Sequence, residues 1–247
     1  MTPDRPDPID FLTGKLSDRA HPRGVGPPGS GEKFHPDGAV QLWPGNTFIC
    51  HIDRESDAYA AMLEIQECLM RSEFAKFYAF LPPPSFHMTV FQGISPETRP
   101  GTLWPEGAAP DLSRDAITAL MRERTVGLAL PSEFRVSVRE LFAGYSLTVK
   151  GADDSCEAAL RATRAALRDA NGLRPPDFEI YRFHITLAYP LRWLSPAVAA
   201  AVVALSTELF EANRARLQNI TLGPVELCNF ESMHHFEPVA RLDGKVR

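Results

Sequence analysis

Apolar and polar side chains alternate along several short runs of the chain, and this alternation predicts β-strands. Between these runs lie longer stretches in which apolar residues recur every three or four positions, as they do on one face of a helix. The predicted strands cover 46–52, 85–93, 134–143, 145–150, 182–191, 219–230 and a ragged run near 233–242. The predicted helices run from Ser56 or Asp57 to the prolines at 82–84, over 112–124, over 154–170, and onward from Ser195-Pro196.

These elements repeat in order, which predicts an α+β fold built from a duplicated unit. Each half has a strand, a helix and a second strand in which Phe-His-x-Thr is followed by an apolar residue. A Ser-Pro step follows that second strand in both halves. We therefore expect two lobes related by an approximate two-fold axis, with two antiparallel sheets flanking a central cleft and helices packed outside.

The N-terminal part of the chain and one insertion differ in composition from the rest. Residues 1–33 are rich in proline, glycine and charge, and we expect a flexible segment that is mobile or lies over the surface. Residues 34–247 are predicted to form a single bilobal domain. The stretch 95–111 is an irregular, proline-rich insertion whose conformation the pattern does not predict.

Charge and composition narrow the classes of function. The net charge of −5 over 247 residues argues against a long nucleic-acid-binding surface, which requires a basic face, but is compatible with a small phosphate ligand in a locally positive cleft. The four cysteines form no CxxC pair, so we expect reduced thiols and no zinc site. The N-terminus lacks the apolar core of a secretory signal, and the longest apolar run, 197–205, is too short to span a membrane. We expect a cytoplasmic monomer without a membrane partner.

Two predicted strands carry the same pair of polar residues, as FHMTV at 86–90 and FHITL at 183–187. Residues two apart in a strand point to the same face, so His87 and Thr89 emerge together, as do His184 and Thr186. The apolar residues between them face the core. One such triplet alone has little specificity, but two copies in matching surroundings favour a functional role.

Two histidines and two hydroxyls lining one cleft suit the cleavage of a phosphodiester without a metal or other cofactor. One neutral imidazole takes a proton from the attacking water, and the other, protonated, gives one to the leaving oxygen. The two hydroxyls donate hydrogen bonds to the non-bridging oxygens, where charge must be held in the transition state. Histidine suits both tasks because both of its protonation states are accessible near neutral pH.

The paired motifs resemble those of the 2H phosphoesterases, a superfamily named for its two histidines that includes bacterial RNA ligase/cyclic phosphodiesterases of the LigT type. The leader FHPDGAVQLWPGNTFICHI also resembles that of a poorly characterised bacterial branch. The resemblance implies a two-lobed fold around a cleft, with His87 and His184 as general base and acid in an order left open. It further implies that Thr89 and Thr186 bind the phosphate.

Other residues are weaker candidates. Arg182 shares a strand face with His184 and could contact phosphate or form a surface ion pair. Tyr181 could stack on a base or pack in the core, and Asn46 could bind a ligand or stabilise a turn. His51 lacks a threonine partner and is expected to be structural.

The predicted function is a metal-independent phosphodiesterase that hydrolyses a cyclic phosphodiester, either a 2′,3′-cyclic nucleotide or an RNA end. The same cleft could instead join RNA ends, or the fold could bind a nucleotide or phosphate without turnover. In a third alternative both histidines are structural and the chain is an interaction protein.

Overall fold

The structure, a computed structural model, describes residues 5–100 and 103–243. The helices are α1 (Pro8–Leu12), α2 (Asp57–Arg71), α3 (Arg114–Thr125), α4 (Asp154–Asn171) and α5 (Pro196–Asn213). The strands are β1 (Gly45–His51), β2 (Tyr78–Phe80), β3 (His87–Gln92), β4 (Phe134–Phe142), β5 (Ser146–Gly151), β6 (His184–Thr186), β7 (Ala188–Pro190), β8 (Ile220–Leu222), β9 (Val225–Ser232) and β10 (His235–Leu242). Within these ranges, no helix has the length and apolarity that a membrane span requires.

Eight of the strands form one antiparallel sheet in the order β10-β9-β1-β3-β6-β5-β4-β8, and β2 and β7 form a second, two-stranded sheet. Strands that are consecutive in sequence are not always neighbours in the large sheet. Strands β8 and β9 lie at opposite sides of it, although only Gly223 and Pro224 separate them in the chain. Proline cannot donate a ladder hydrogen bond, so this pair of residues ends one strand and redirects the chain.

The main hydrophobic core lies between the large sheet and the helices. Met62 of α2 and Leu160 of α4 are fully buried in it, together with Met88 of β3 and Ile185 of β6. The apolar residues of the two His-x-Thr strands therefore face the helices, as their alternation predicts. The opposite face of the sheet is left to carry the polar residues of these strands.

The prediction of two sheets flanking a cleft is wrong in one respect, because the two halves are joined into a single sheet. Strands β3 and β6 are neighbours, paired through Met88 and Ile185. The edges of two separate sheets would leave backbone groups without partners, and pairing the central strands satisfies some of them. The strand order runs β3, β1, β9, β10 on one side of this junction and β6, β5, β4, β8 on the other.

Most predicted elements are confirmed, but some end elsewhere, the predicted strands 182–191 and 219–230 are each divided in two, and α1 and β2 were not predicted. The helix expected to reach the prolines at 82–84 ends at Arg71, and the chain then forms the short strand β2. The run 182–191 is divided into β6 and β7, which belong to different sheets. The hairpin of β4 and β5 turns at Ala143 and Gly144, both with positive φ, as a tight turn between twisted strands requires.

Residues 5–33, expected to be mobile or to lie over the surface, pack on the rest of the chain. Asp7 caps α1 by accepting hydrogen bonds from the first turn, and the buried Leu12 packs in a small core with residues of α5. Val25 is buried and forms an isolated bridge with Phe34, which is fully buried. Residues 5–33 contribute to the same hydrophobic cores as the rest of the described chain, so the folded structure continues on both sides of position 33.

The junction between β3 and β6 is short, and side chains complete it. Beyond Met88 and Ile185 the strands diverge, and the carbonyl groups of Thr89 and Val90 accept hydrogen bonds from side chains. The Tyr181 hydroxyl donates to the first at 3.3 Å and the buried Arg164 guanidinium to the second at 2.6 Å. The guanidinium also lies 3.8 Å from the centre of the Tyr181 ring. Two side chains thus stabilise the opening of the sheet.

Arg164→Ala should destabilise the fold by about 3 kcal/mol or more, because it creates a cavity and leaves the Val90 carbonyl buried without a donor. Urea denaturation of the variant measures this loss. Arg122→Ala, on the exposed side of α3, is the matched control and should change stability by less than about 0.5 kcal/mol. Equal effects in the two variants would show that Arg164 is not needed to hold the junction.

Candidate active site

The two His-x-Thr pairs lie side by side at the centre of the large sheet. The antiparallel register that sets Met88 opposite Ile185 places His87 across from Thr186 and Thr89 across from His184. All four side chains are half-buried and project from the face opposite the helices, called the cleft face below. The two histidines are diagonal neighbours, which on a regular sheet puts their Cα atoms about 7–8 Å apart.

The two imidazoles have the same hydrogen bond. Nδ1 of His87 lies 2.7 Å from the carbonyl oxygen of Ser85, and Nδ1 of His184 lies 2.9 Å from that of Arg182. A carbonyl only accepts, so Nδ1 carries the proton in both rings and donates it. Within the described part of the chain, neither Nε2 has a hydrogen-bond partner, which leaves this nitrogen of each ring available to a ligand.

Both imidazoles are held in the neutral form in the ligand-free protein. Burial, with smaller effects of the neighbouring His51, His184 and Lys33, lowers the pKa of His87 to about 4, against the opposing effect of the hydrogen bond to the Ser85 carbonyl. Burial also lowers the pKa of His184, aided by the charges of Arg5 and Lys33. Each ring is therefore able to accept a proton at neutral pH, and a bound anion would favour protonation.

The strand partner of each histidine forms a hydrogen bond with a glutamate. His51 is the strand partner of His87, and its Nδ1 lies 2.6 Å from Oε2 of Glu226. Thr148 is the strand partner of His184, and its hydroxyl donates to Oε1 of Glu140 at 2.7 Å. The sequence gives no signal for these carboxylates or for Thr148. His51 could have been recognised from the sequence, because neighbouring residues of a strand point to opposite faces. His51 therefore points away from the core that buries Cys50, towards the cleft face.

His51, Glu226 and Cys228 are a group of possible metal donors within the described residues, with donor atoms within 4.8 Å of one another. Burial raises the pKa of the Cys228 thiol far above its usual range, so the sulfur holds its proton in the ligand-free protein. The Nδ1 atom of His51 is engaged by Glu226. In this structure His51 and Glu226 thus form a hydrogen-bonded pair beside His87.

Arg182 lies beside the histidines at the wall of a cavity of about 800 Å³. The cavity begins at Thr148, the strand partner of His184, and continues past the end of β5. Its lining is rich in charge of both signs: Arg5, Arg139, Lys150, Arg161 and Arg182 with Glu140, Asp153, Asp154 and Glu157. Arg182 is thus brought to a space that could hold a ligand next to His184.

Asn46 and Tyr181 are not brought to the cleft face. Asn46 is buried on the helix side, where its amide donates to the Thr118 hydroxyl at 2.8 Å and its oxygen accepts from the Ile94 N–H at 2.9 Å. The Tyr181 ring lies against Arg164 of α4 and its hydroxyl is bonded to β3. Both side chains hold backbone in place near the histidines.

Residues 33–146 match the family model described as "2H-phosphodiest: Domain of unknown function (DUF1868)", a range that includes His87 and Thr89 and ends before His184. This match places residues 33–146 in the 2H phosphoesterase superfamily. Membership indicates phosphoester hydrolysis or ligation as the class of reaction.

The chain is also similar over nearly its whole length to a solved structure, that of the "Conserved Protein of Unknown Function ATU0111" from Agrobacterium tumefaciens str. C58. The two share 29% sequence identity, the TM-score is 0.86, and the match covers 97% of this chain and 100% of the other. No curated protein matches the sequence.

The lowered pKa of His87 predicts a loss of stability in acid. Above pH 6.5 the ring is neutral in both states, but as the pH falls towards 4 the unfolded chain binds the proton first and folding becomes less favourable. The contribution reaches on the order of 3 kcal/mol at pH 4. His87→Gln should therefore show a shallower decline in unfolding free energy between pH 6.5 and 4 than the wild type. Parallel curves would mean that His87 is not held neutral by the fold.

Proposed function

We propose that the protein hydrolyses a cyclic phosphodiester, of the 2′,3′-cyclic nucleotide or RNA-end type, by general acid/base catalysis with His87 and His184. The observation that carries the proposal is the arrangement of two identical imidazole tautomers beside two threonines on one sheet face, with neither Nε2 bonded to any of residues 5–100 and 103–243. The superfamily and its reaction class support the same proposal.

In the proposed reaction, Nε2 of one histidine removes a proton from water as the water oxygen attacks phosphorus. The bond from phosphorus to one ring oxygen breaks, and the other histidine gives its Nε2 proton to that oxygen, yielding a phosphomonoester and a hydroxyl. Thr89 and Thr186 donate hydrogen bonds to the non-bridging oxygens, whose charge grows in the transition state. The cycle ends with the two imidazoles in exchanged protonation states, and solvent restores them.

The mutual influence of the histidines favours one proton on the pair. The charge of one protonated ring lowers the pKa of the other, since the two are diagonal neighbours. A bound phosphodiester anion raises the pKa of both rings, so that binding favours the first protonation and the pair resists the second. One acid and one base thus coexist in the complex. The orientation of the bound substrate decides which histidine is the acid and which is the base.

The rest of the substrate is proposed to occupy the cavity beside His184. Arg182 and Arg5 lie in its wall, and a guanidinium can bind phosphate oxygens in a bidentate manner. The cavity of about 800 Å³ is large enough for a nucleotide-sized group. In this proposal Arg182 contacts a phosphate or sugar, whereas Tyr181 and Asn46 act only through the backbone that they hold.

His87→Ala and His184→Ala should each lower kcat for adenosine 2′,3′-cyclic phosphate by about 10³-fold or more, because each removes one proton-transfer group. Thr89→Val and Thr186→Val should cost about 10- to 100-fold each, through one lost hydrogen bond to the transition state. His235→Ala, at an exposed position on β10, is the matched control and should retain wild-type turnover. Circular dichroism would verify that the variants fold.

Turnover within tenfold of the wild type in both histidine variants would contradict the mechanism, and so would a strict requirement for added metal after EDTA treatment. Binding of the cyclic nucleotide without product, in the wild type, would instead support a non-catalytic binding module. Incubation with RNA bearing a 2′,3′-cyclic phosphate end and a 5′-hydroxyl partner separates hydrolysis from ligation, since only ligation lengthens the RNA.

A further inference from the structure

The ammonium group of Lys33 is held between two aromatic rings on the cleft face. Its Nζ lies 4.4 Å from the centre of the Trp43 ring and 5.2 Å from that of Tyr189, and it donates to the Tyr189 hydroxyl at 3.4 Å. The residue is half-buried. Ring faces attract a cation, so this cage fixes the position of the charge while leaving most of its hydrogen-bonding capacity unused.

No carboxylate neutralises this charge among residues 5–100 and 103–243, because none of their ion pairs includes Lys33. A half-buried ammonium loses part of its hydration and is stabilised by an anion nearby. The neighbouring Glu32 is already paired with Arg19. The cage therefore presents an uncompensated positive charge.

The charge lies close to both candidate catalytic histidines. Trp43 stacks on Phe230 at 5.7 Å between ring centres, Phe230 packs on Phe236 at 5.2 Å, and Phe236 lies 4.1 Å from the His87 ring. On the other side, Tyr189 belongs to β7, which begins two residues after the end of β6. Lys33 lowers the pKa of both imidazoles, which agrees with a position near each of them.

The backbone at Lys33 is fixed before any ligand arrives. The Lys33 N–H donates to the Gly24 carbonyl at 3.0 Å, and the Lys33 carbonyl accepts from the Gln41 N–H at 2.8 Å. Phe34, the next residue, is fully buried against Tyr189 at 5.0 Å between ring centres. We call residues 24–43 the strap. The strap carries the ammonium into the site at little cost in ordering when a ligand binds.

We propose that Lys33 binds a non-bridging phosphoryl oxygen of the substrate, over the His87 and His184 pair, and supplies a positive charge to the active site in addition to Arg182 and Arg5. This inference rests on the proposed function and names the ligand class as a phosphodiester or phosphomonoester. The two threonine hydroxyls are neutral donors, whereas an ammonium compensates the charge of the phosphoryl group directly. Lys33 would therefore contribute both to binding and to transition-state stabilisation.

Lys33→Met keeps the aliphatic stem between the two rings and removes only the charge. We expect it to weaken the binding of inorganic phosphate by about tenfold or more, as measured by the change of the His87 and His184 imidazole NMR signals during a phosphate titration. Lys33→Arg should keep the affinity within about threefold, since the charge remains. Lys76→Met is the control, because its ammonium also lies over a ring, that of Phe77, but the residue is exposed.

The same spectra report whether Lys33 is near the histidines. In the ligand-free Lys33→Met variant, the pKa of each imidazole should rise, because a nearby positive charge has been removed. Phosphate affinity of Lys33→Met within twofold of the wild type would overturn the proposal. If Lys33→Met does not fold, Lys33→Gln, compared with Lys33→Arg in the same phosphate titration, provides the same decision.

The two proposals can fail separately. If the wild type turns over adenosine 2′,3′-cyclic phosphate and Lys33→Met binds phosphate as tightly as the wild type, only the proposed role of Lys33 is rejected. Loss of phosphate binding in Lys33→Met, in a protein that turns over no cyclic phosphate, would support the anion site and reject the proposed hydrolysis.

Discussion

The short contact between β3 and β6 is the constraint on which the rest of the structure depends. These strands join the two halves of the sheet through Met88 and Ile185 and then separate. Continuous pairing would satisfy their backbone groups but would leave no opening. Separate sheets would leave many groups unsatisfied. Arg164 and Tyr181 resolve this by bonding the carbonyls of β3 where the partner strand turns away.

The consequence for the site is that the described hydrogen bonds of the two imidazoles go to backbone rather than to other side chains. Each imidazole bonds to a carbonyl two residues before it, just ahead of its own strand. A strand at the sheet centre moves little, so the Nε2 atoms are held in fixed relation to each other. The carboxylates of Glu226 and Glu140 then hold the residues on the outer strands, His51 and Thr148, which differ between the halves. The two histidines thus share a hydrogen-bond pattern but have different outer neighbours.

Much of the site could be predicted from the sequence because alternation in a strand is a local property. The motifs at 86–90 and 183–187 indicate which residues share a face, and the structure places His87, Thr89, His184 and Thr186 on one face as expected. The same reasoning could not decide whether the strands lie in one sheet or two, since strand pairing is set by distant contacts. It also missed α1 and β2, which are five and three residues long and depend on tertiary packing for their stability.

The strap limits the directions in which a substrate can extend. It lies on the His87 side of the cleft face, where Phe34, Trp43, Phe230 and Phe236 are buried together. The cavity lies on the other side, beyond Thr148 and Arg182. A long polymer crossing the site would have to pass through both sides, whereas the end of a chain needs only one. Under the proposed function, the expected substrate is therefore a terminal phosphodiester rather than an internal one, selected by shape rather than by sequence.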